Sequence, residues 1–204
     1  MGINANSTST GGSTRLQARS PDYFYTVSLG LISGGVMHIG FTDSIPINAP
    51  ANAIWHVLSQ WHDPSGWVPQ CLSCEIVDPP GIRLGVGAVR RIREEDQVLV
   101  ETALTWEPPS RIAISVSGVP PVVKDVVTTF QVQATSDSTS MFSVSSSSAT
   151  GLGLVGLILY PVAKRAQRTE LCKLLAAMKH YVESGTRATH QDVKRILAEY
   201  PSLK

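Results

Sequence analysis

The middle of the chain consists of short runs rich in Val, Ile, Thr and aromatic residues, broken by Gly, Pro, Asp and Ser, and this pattern predicts strands. The runs lie near Cys71 to Val77, Gly87 to Glu94, Val98 to Trp106, Arg111 to Ser117, Val123 to Ala134 and Ser140 to Ser147. Their close spacing predicts an antiparallel meander. Ahead of them, Pro50 suits the first turn of a helix that ends near Trp61, with Asn48 as an acceptable N-cap. His62-Asp63-Pro64-Ser65-Gly66 reads as turn chemistry, and Trp67-Val68-Pro69 as a short second helix or a bend.

Periodicity changes towards the end. Leu171, Leu174, Leu175, Met178 and Val182 recur at helical spacing, with Pro161 suited to the first helical position and Gly185 as the stop. Such a one-sided helix needs a sheet to cover. Beyond it, Thr189 with Asp192 is a capping-box variant that predicts a short last helix through Tyr200.

The start of the chain is different again. Met1 to about Ser20 is Ser-, Thr-, Gly- and Asn-rich and cannot repay the entropy of ordering, so a disordered tail over 1–22 is expected. Tyr23 to Thr42 carries no Asp, Glu, Lys or Arg and is about long enough to span a bilayer. Gly30, Gly34, Gly35, Gly40, Thr26, Ser28, Ser33 and His38 dilute it well below a membrane span, so 23–38 is read as an apolar extension of the domain.

At 204 residues and 43% hydrophobic content, one domain with one substantial core is expected. No repeat divides the chain, and the run Ser145 to Ser148 is too short for a linker, so the domain is drawn over 23–185 with a short helix over 186–204. A formal charge of +1 with both signs interspersed gives no footprint for nucleic acid. Three cysteines without a signal-like start predict an intracellular, cytoplasmic protein.

An early strand, short helices, a meander and one long closing helix are joined here by more particular marks. These are Ile47-Asn48-Ala49-Pro50 before Trp55, Trp67-Val68-Pro69, Gly85 to Arg90, Glu101, and the turn from Trp106 to Arg111. Together they resemble the START-like or SRPBCC superfamily, which includes polyketide cyclases and dehydrases, pollen allergens and abscisic acid receptors. The likeness covers about Ile39 to Glu183. It implies an α+β helix-grip fold, in which a curved antiparallel sheet wraps the long helix and leaves a cavity for an apolar small molecule. The chain departs from the hormone receptors at their gate and latch loops, where Glu94 to Gln97 and Val119-Pro120-Pro121 stand.

Arg90 and Glu101 sit on neighbouring strands joined by a tight turn around Asp96, so their side chains can meet across the ladder. The resemblance implies that both face the cavity. Alternation along the strand disagrees, because it groups Val98, Val100, Thr102, Leu104 and Trp106 on the more apolar face and sets Glu101 opposite. Cover of the strand's outer face, by the extension Tyr23 to Val36 or by a second subunit, would reconcile the two. Lys124 shares a face with Val126, Thr128 and Phe130 by alternation, and could reach a ligand oxygen or be an exposed strand-start lysine.

Trp67 and Tyr160 are expected at the cavity mouth, with Ile112, Ile114, Val126, Val162 and Ala166 lining the interior. His62 beside Asp63 could form an acid/base dyad, although adjacent turn residues seldom orient one another. Cys71-x-x-Cys74 falls on a strand, where the two side chains point to opposite faces, which argues against a metal or redox pair. No phosphate cradle, metal-spaced His cluster or nucleophile elbow is present, so cofactor-free and metal-free chemistry is expected. The expectation is a cyclase- or dehydratase-type enzyme using Glu101 or Lys124, with Arg90 beside Glu101. A ligand carrier or sensor is the alternative, and a structural interaction module that pairs subunits as a homodimer through the apolar extension is a third.

Overall fold

The computed structural model describes residues 26–31, 37–77, 84–121, 123–150 and 153–203. Eight strands form one antiparallel sheet: β1 (Thr26–Leu31), β2 (Met37–Ile47), β3 (Ser73–Ile76), β4 (Val89–Arg93), β5 (Val98–Glu107), β6 (Arg111–Ser117), β7 (Val123–Ala134) and β8 (Ser140–Thr150). Their order is β1-β2-β8-β7-β6-β5-β4-β3, an open sheet in which only the β2–β8 neighbours break the meander. Helix α1 (Ala51–Leu58) and a 3₁₀ turn (Pro64–Gly66) lie between β2 and β3. Helix α2 (Gly153–Ser184) follows β8, then α3 (His190–Glu199) and a last 3₁₀ turn (Pro201–Leu203).

The six runs read from the sequence are all strands. Several details of the flanks differ. The apolar extension pairs with β2, from Thr26 opposite Thr42 to Leu31 opposite Met37. It therefore occupies the edge of the sheet away from β5 and cannot cover the outer face of β5. No helix among the described residues is long and apolar enough to cross a membrane. The tail expected over 1–22 lies outside the described residues.

Pro161 does not start α2, which begins at Gly153 and runs through it. Asn48 does not cap α1: Pro50 holds the N-cap position, and the Asn48 N–H donates to Glu183 Oε1 of α2 at 2.7 Å. That helix ends at Leu58, short of Trp61. Thr189 does cap α3, with its Oγ1 accepting from Asp192 N–H at 3.2 Å while Asp192 Oδ2 accepts from Thr189 N–H at 3.0 Å.

The core lies where α2 crosses β2 and β8 and where α1 closes one end. Ile45, Ile47, Ile54, Phe142, Val144, Leu175 and Met178 are fully buried there. Trp106 stands edge-on to Trp55 and Trp61, at centroid distances of 6.0 and 5.7 Å. Aromatic edges in this arrangement add to the gain from burial alone. Lys179 of α2 is buried yet satisfied, donating to the Pro46 carbonyl at 2.9 Å and to Glu183 Oε1 at 2.7 Å. The packed end is thereby fixed, while β4 to β7 curve away from α2 at the other.

Candidate functional site

A cavity of about 400 Å³ opens in that gap. Its sheet wall carries Ile92 of β4, Leu99 and Glu101 of β5, Ile114 and Val116 of β6, and Val123, Val126, Thr128 and Phe130 of β7. Gln167, Glu170, Leu171 and Leu174 of α2 form the opposite wall. Phe41 and Ser146 contribute from β2 and β8, and Val68 from the segment after the 3₁₀ turn. Glu94, Gln97, Val119 and Pro120 come from the two hairpin turns beside the opening, so those turns frame the mouth.

Phe130 marks the inner end. Its ring meets Trp67 edge-on at 5.7 Å and stacks parallel to Phe142 at 6.3 Å. Trp67 is buried behind Phe130 and belongs to the core, not to the mouth. Val68, its neighbour, takes the place at the cavity wall. Ile112 is likewise packed in the core beyond the cavity, whereas Ile114, one inward step along β6, reaches it.

Two bulges decide which side chains enter. On β5, Ala103 pairs with Ile114 but Thr105 with Ala113, so Leu104 is the extra residue. Leu99, Glu101 and Ala103 therefore point inward on one side of the bulge and Trp106 on the other, while Leu104 is left 46% exposed. Simple alternation across Leu104 had joined Trp106 to the wrong set. On β7, Lys124 pairs with Ala149 and Val127 with Ser147, with Asp125 at φ 51°. The extra residue puts Val123 in phase with Val126, Thr128 and Phe130, and turns Lys124 outward into solvent. Lys124 is not a cavity residue.

Arg90 and Glu101 are directly opposite in the β4–β5 register, and both line the cavity. Arg90 Nε donates to Glu101 Oε2 at 2.6 Å, and Arg90 Nη1 donates to the Trp61 carbonyl at 3.2 Å. The guanidinium also lies 4.0 Å from the centroid of the Trp61 ring. With 3% and 8% of their surfaces exposed, the two form a buried pair on an otherwise apolar wall. The other lining carboxylates are satisfied nearer the surface: Glu94 accepts from Gln97 at 2.6 Å, and Glu170 accepts from Gln70 at 2.9 Å and Lys173 at 2.7 Å.

Ala166 is exposed and does not line the cavity, because the inward face of α2 runs through Gln167, Leu171 and Leu174. Tyr160 and Val162 lie on α2 at positions whose side chains fall outside the described residues. His62 and Asp63 are exposed; Asp63 accepts from Ser65 N–H at 3.1 Å, and its Ser65 hydrogen bonds hold the carboxyl below the usual range. It caps a turn and forms no dyad with His62. Cys71 and Cys74 are free thiols, and burial pushes Cys74 up to about 11. Among the described residues no three His, Cys, Asp or Glu side chains gather as metal ligands.

The helix-grip arrangement and its cavity define a class of small-molecule-binding domains. The chain belongs to the family described as polyketide cyclase / dehydrase and lipid transport, whose model matches residues 38–183. No curated protein matches it. Among solved structures it is similar to XoxI of Bacillus cereus, at 18% identity and a TM-score of 0.59 over 71% of this chain and 96% of that one. BexL, a di-domain ARO/CYC of a biosynthetic pathway, gives 21% identity and a TM-score of 0.59, over 71% of this chain and 46% of that one. Norcoclaurine synthase of Thalictrum flavum, solved with dopamine and hydroxybenzaldehyde, gives 15% and 0.55 over 76% of this chain and 96% of that one. At these identities the likeness is one of fold. Family and cavity together make this a domain for binding a hydrophobic small molecule.

Proposed function

We propose that the protein is a cofactor-independent enzyme that folds a flexible apolar substrate inside the cavity and promotes its cyclisation or dehydration. The observation that carries this reading is the Arg90–Glu101 pair on the cavity wall. Burying an ion pair is often no more stabilising than burying hydrophobic residues of the same volume. A container for an oily guest gains little from one. In a reaction chamber, Glu101 can accept a proton from the substrate while Arg90 holds the carboxylate in place. The curved aliphatic walls restrict the conformations of the bound chain, which brings its reacting atoms together.

Ligand extracted from the purified protein and identified by mass spectrometry supplies the test. Returned to the stripped protein, it should convert to an isomer or to a product lacking one water, and Glu101→Gln should abolish turnover with binding kept. Unchanged ligand with weakened binding in Glu101→Gln would leave the carrier reading, which the lipid-transport part of the family description favours.

A further inference from the structure

We propose that Glu101 makes the cavity selective for uncharged ligands bearing a hydroxyl group, and against carboxylates. The inference rests on the cavity being the ligand site and adds the chemical class of what it takes. Arg90 is the one guanidinium among the described lining residues, and a carboxylate ligand would seek it. It is already held on three sides, by Glu101 Oε2, by the Trp61 carbonyl and by the Trp61 ring. A carboxylate entering the cavity would therefore meet Glu101 at close range, beside a guanidinium whose charge Glu101 already balances. The other charged residues of the described lining, Glu94 and Glu170, are acids as well. Like charges in a poorly solvated space repel strongly.

Two acceptor atoms stand without a hydrogen bond on the described lining. Glu101 uses one carboxylate oxygen for Arg90, and the other receives no hydrogen bond from the described residues. Gln167, on the opposite wall, has a buried amide oxygen without a partner among the described residues. A ligand that donates a hydrogen bond satisfies either atom, and one that only accepts satisfies neither. A hydroxyl on an apolar body is the simplest group that fits.

The test uses the uncharged dye N-phenylnaphthylamine as a fluorescent reporter of the cavity, displaced by dodecanol, by its methyl ether, or by dodecanoate at neutral pH. Dodecanol should displace the dye at a concentration about ten-fold below that needed for dodecanoate, a ratio equal to about 1.4 kcal/mol. The ether should fall behind the alcohol. In Glu101→Gln the amide oxygen still accepts from Arg90 while the negative charge is gone, so dodecanoate should gain about ten-fold and draw level with the alcohol. The double variant Arg90→Gln/Glu101→Gln should lose that gain, which assigns it to the guanidinium. Equal displacement by dodecanol and dodecanoate in the natural protein, or an unchanged ratio in Glu101→Gln, overturns the proposal while ligand binding stands. Dye that never binds overturns the cavity reading itself, and the selectivity with it.

Discussion

Asp43 of β2 and Arg168 of α2 face each other as a two-point clamp: Arg168 Nε and Nη2 each donate to one Asp43 oxygen at 2.8 Å. Arg168 also donates to the Ser202 carbonyl at 2.5 Å, so one side chain ties the long helix to both the sheet and the end of the chain. Asp43 is 3% exposed, whereas 29% of the Arg168 side chain reaches solvent. The two substitutions should therefore be unequal. Arg168→Ala strands a buried carboxylate and should lose about 3 kcal/mol or more. Asp43→Asn keeps an acceptor and leaves an arginine that can turn to water, so its loss should be smaller. Urea unfolding midpoints rank the pair.

For Arg90 and Glu101 the prediction is a non-additive cycle. Arg90→Met or Glu101→Leu alone leaves one charge without its partner where the two side chains are only 4% and 11% exposed, and each should lose about 3 to 5 kcal/mol. The double variant should be more stable than either single one. Additive losses in chemical denaturation would mean that the two groups do not depend on each other.

Gly118 and Gly85 separate steric clash from backbone strain. Both have positive φ, +89° and +110°. A methyl group at Gly85 meets nothing within 4 Å, whereas at Gly118 it would run into the Val98 carbonyl and lie 3.3 Å from Leu99 Cα. Gly85→Ala should lose about 1 kcal/mol from conformation alone. Gly118→Ala should lose more. It should also weaken dye binding, because the turn leads directly to Val119 and Pro120 at the mouth.

Cys172 gives a pH dependence with a definite sign. Burial first, and then the Asp43 carboxylate beside it, raise its thiol from 9.0 to about 12. Its neutral form is favoured by folding, so that stability is present below about pH 9 and is lost as pH rises towards about 12. Cys172→Ala should flatten the fall in urea midpoint over that window. A slope unchanged in Cys172→Ala would assign the fall to other groups, Cys74 among them.

The strands, the closing helix and the cap on α3 were legible because each rests on local chemistry: β-branched runs between turn residues, a one-sided apolar stripe, a Thr three residues before an Asp. The pairing of Arg90 with Glu101 was legible for the same reason, since a short hairpin fixes its own register. What the sequence hid is phase. Alternation assumes an unbroken pleat, and the extra residues at Leu104 and near Asp125 break it without any glycine or proline to mark the place. Trp67 and Val68 show a second limit. Neighbours in a turn divide between core and cavity according to the path of the backbone, which composition does not encode.

The irregularity in β7 has a consequence for how such a chamber can diversify. Inserting a single amino acid into β8 between Ser147 and Ala149 would match the extra residue of β7, let the two strands re-zip in regular register and swing an ammonium group into the oily interior in place of Val123. The lining would then change its electrical character although no side chain had been exchanged. In this architecture small insertions and deletions within a strand, and not only point substitutions, can retune what the hollow accepts.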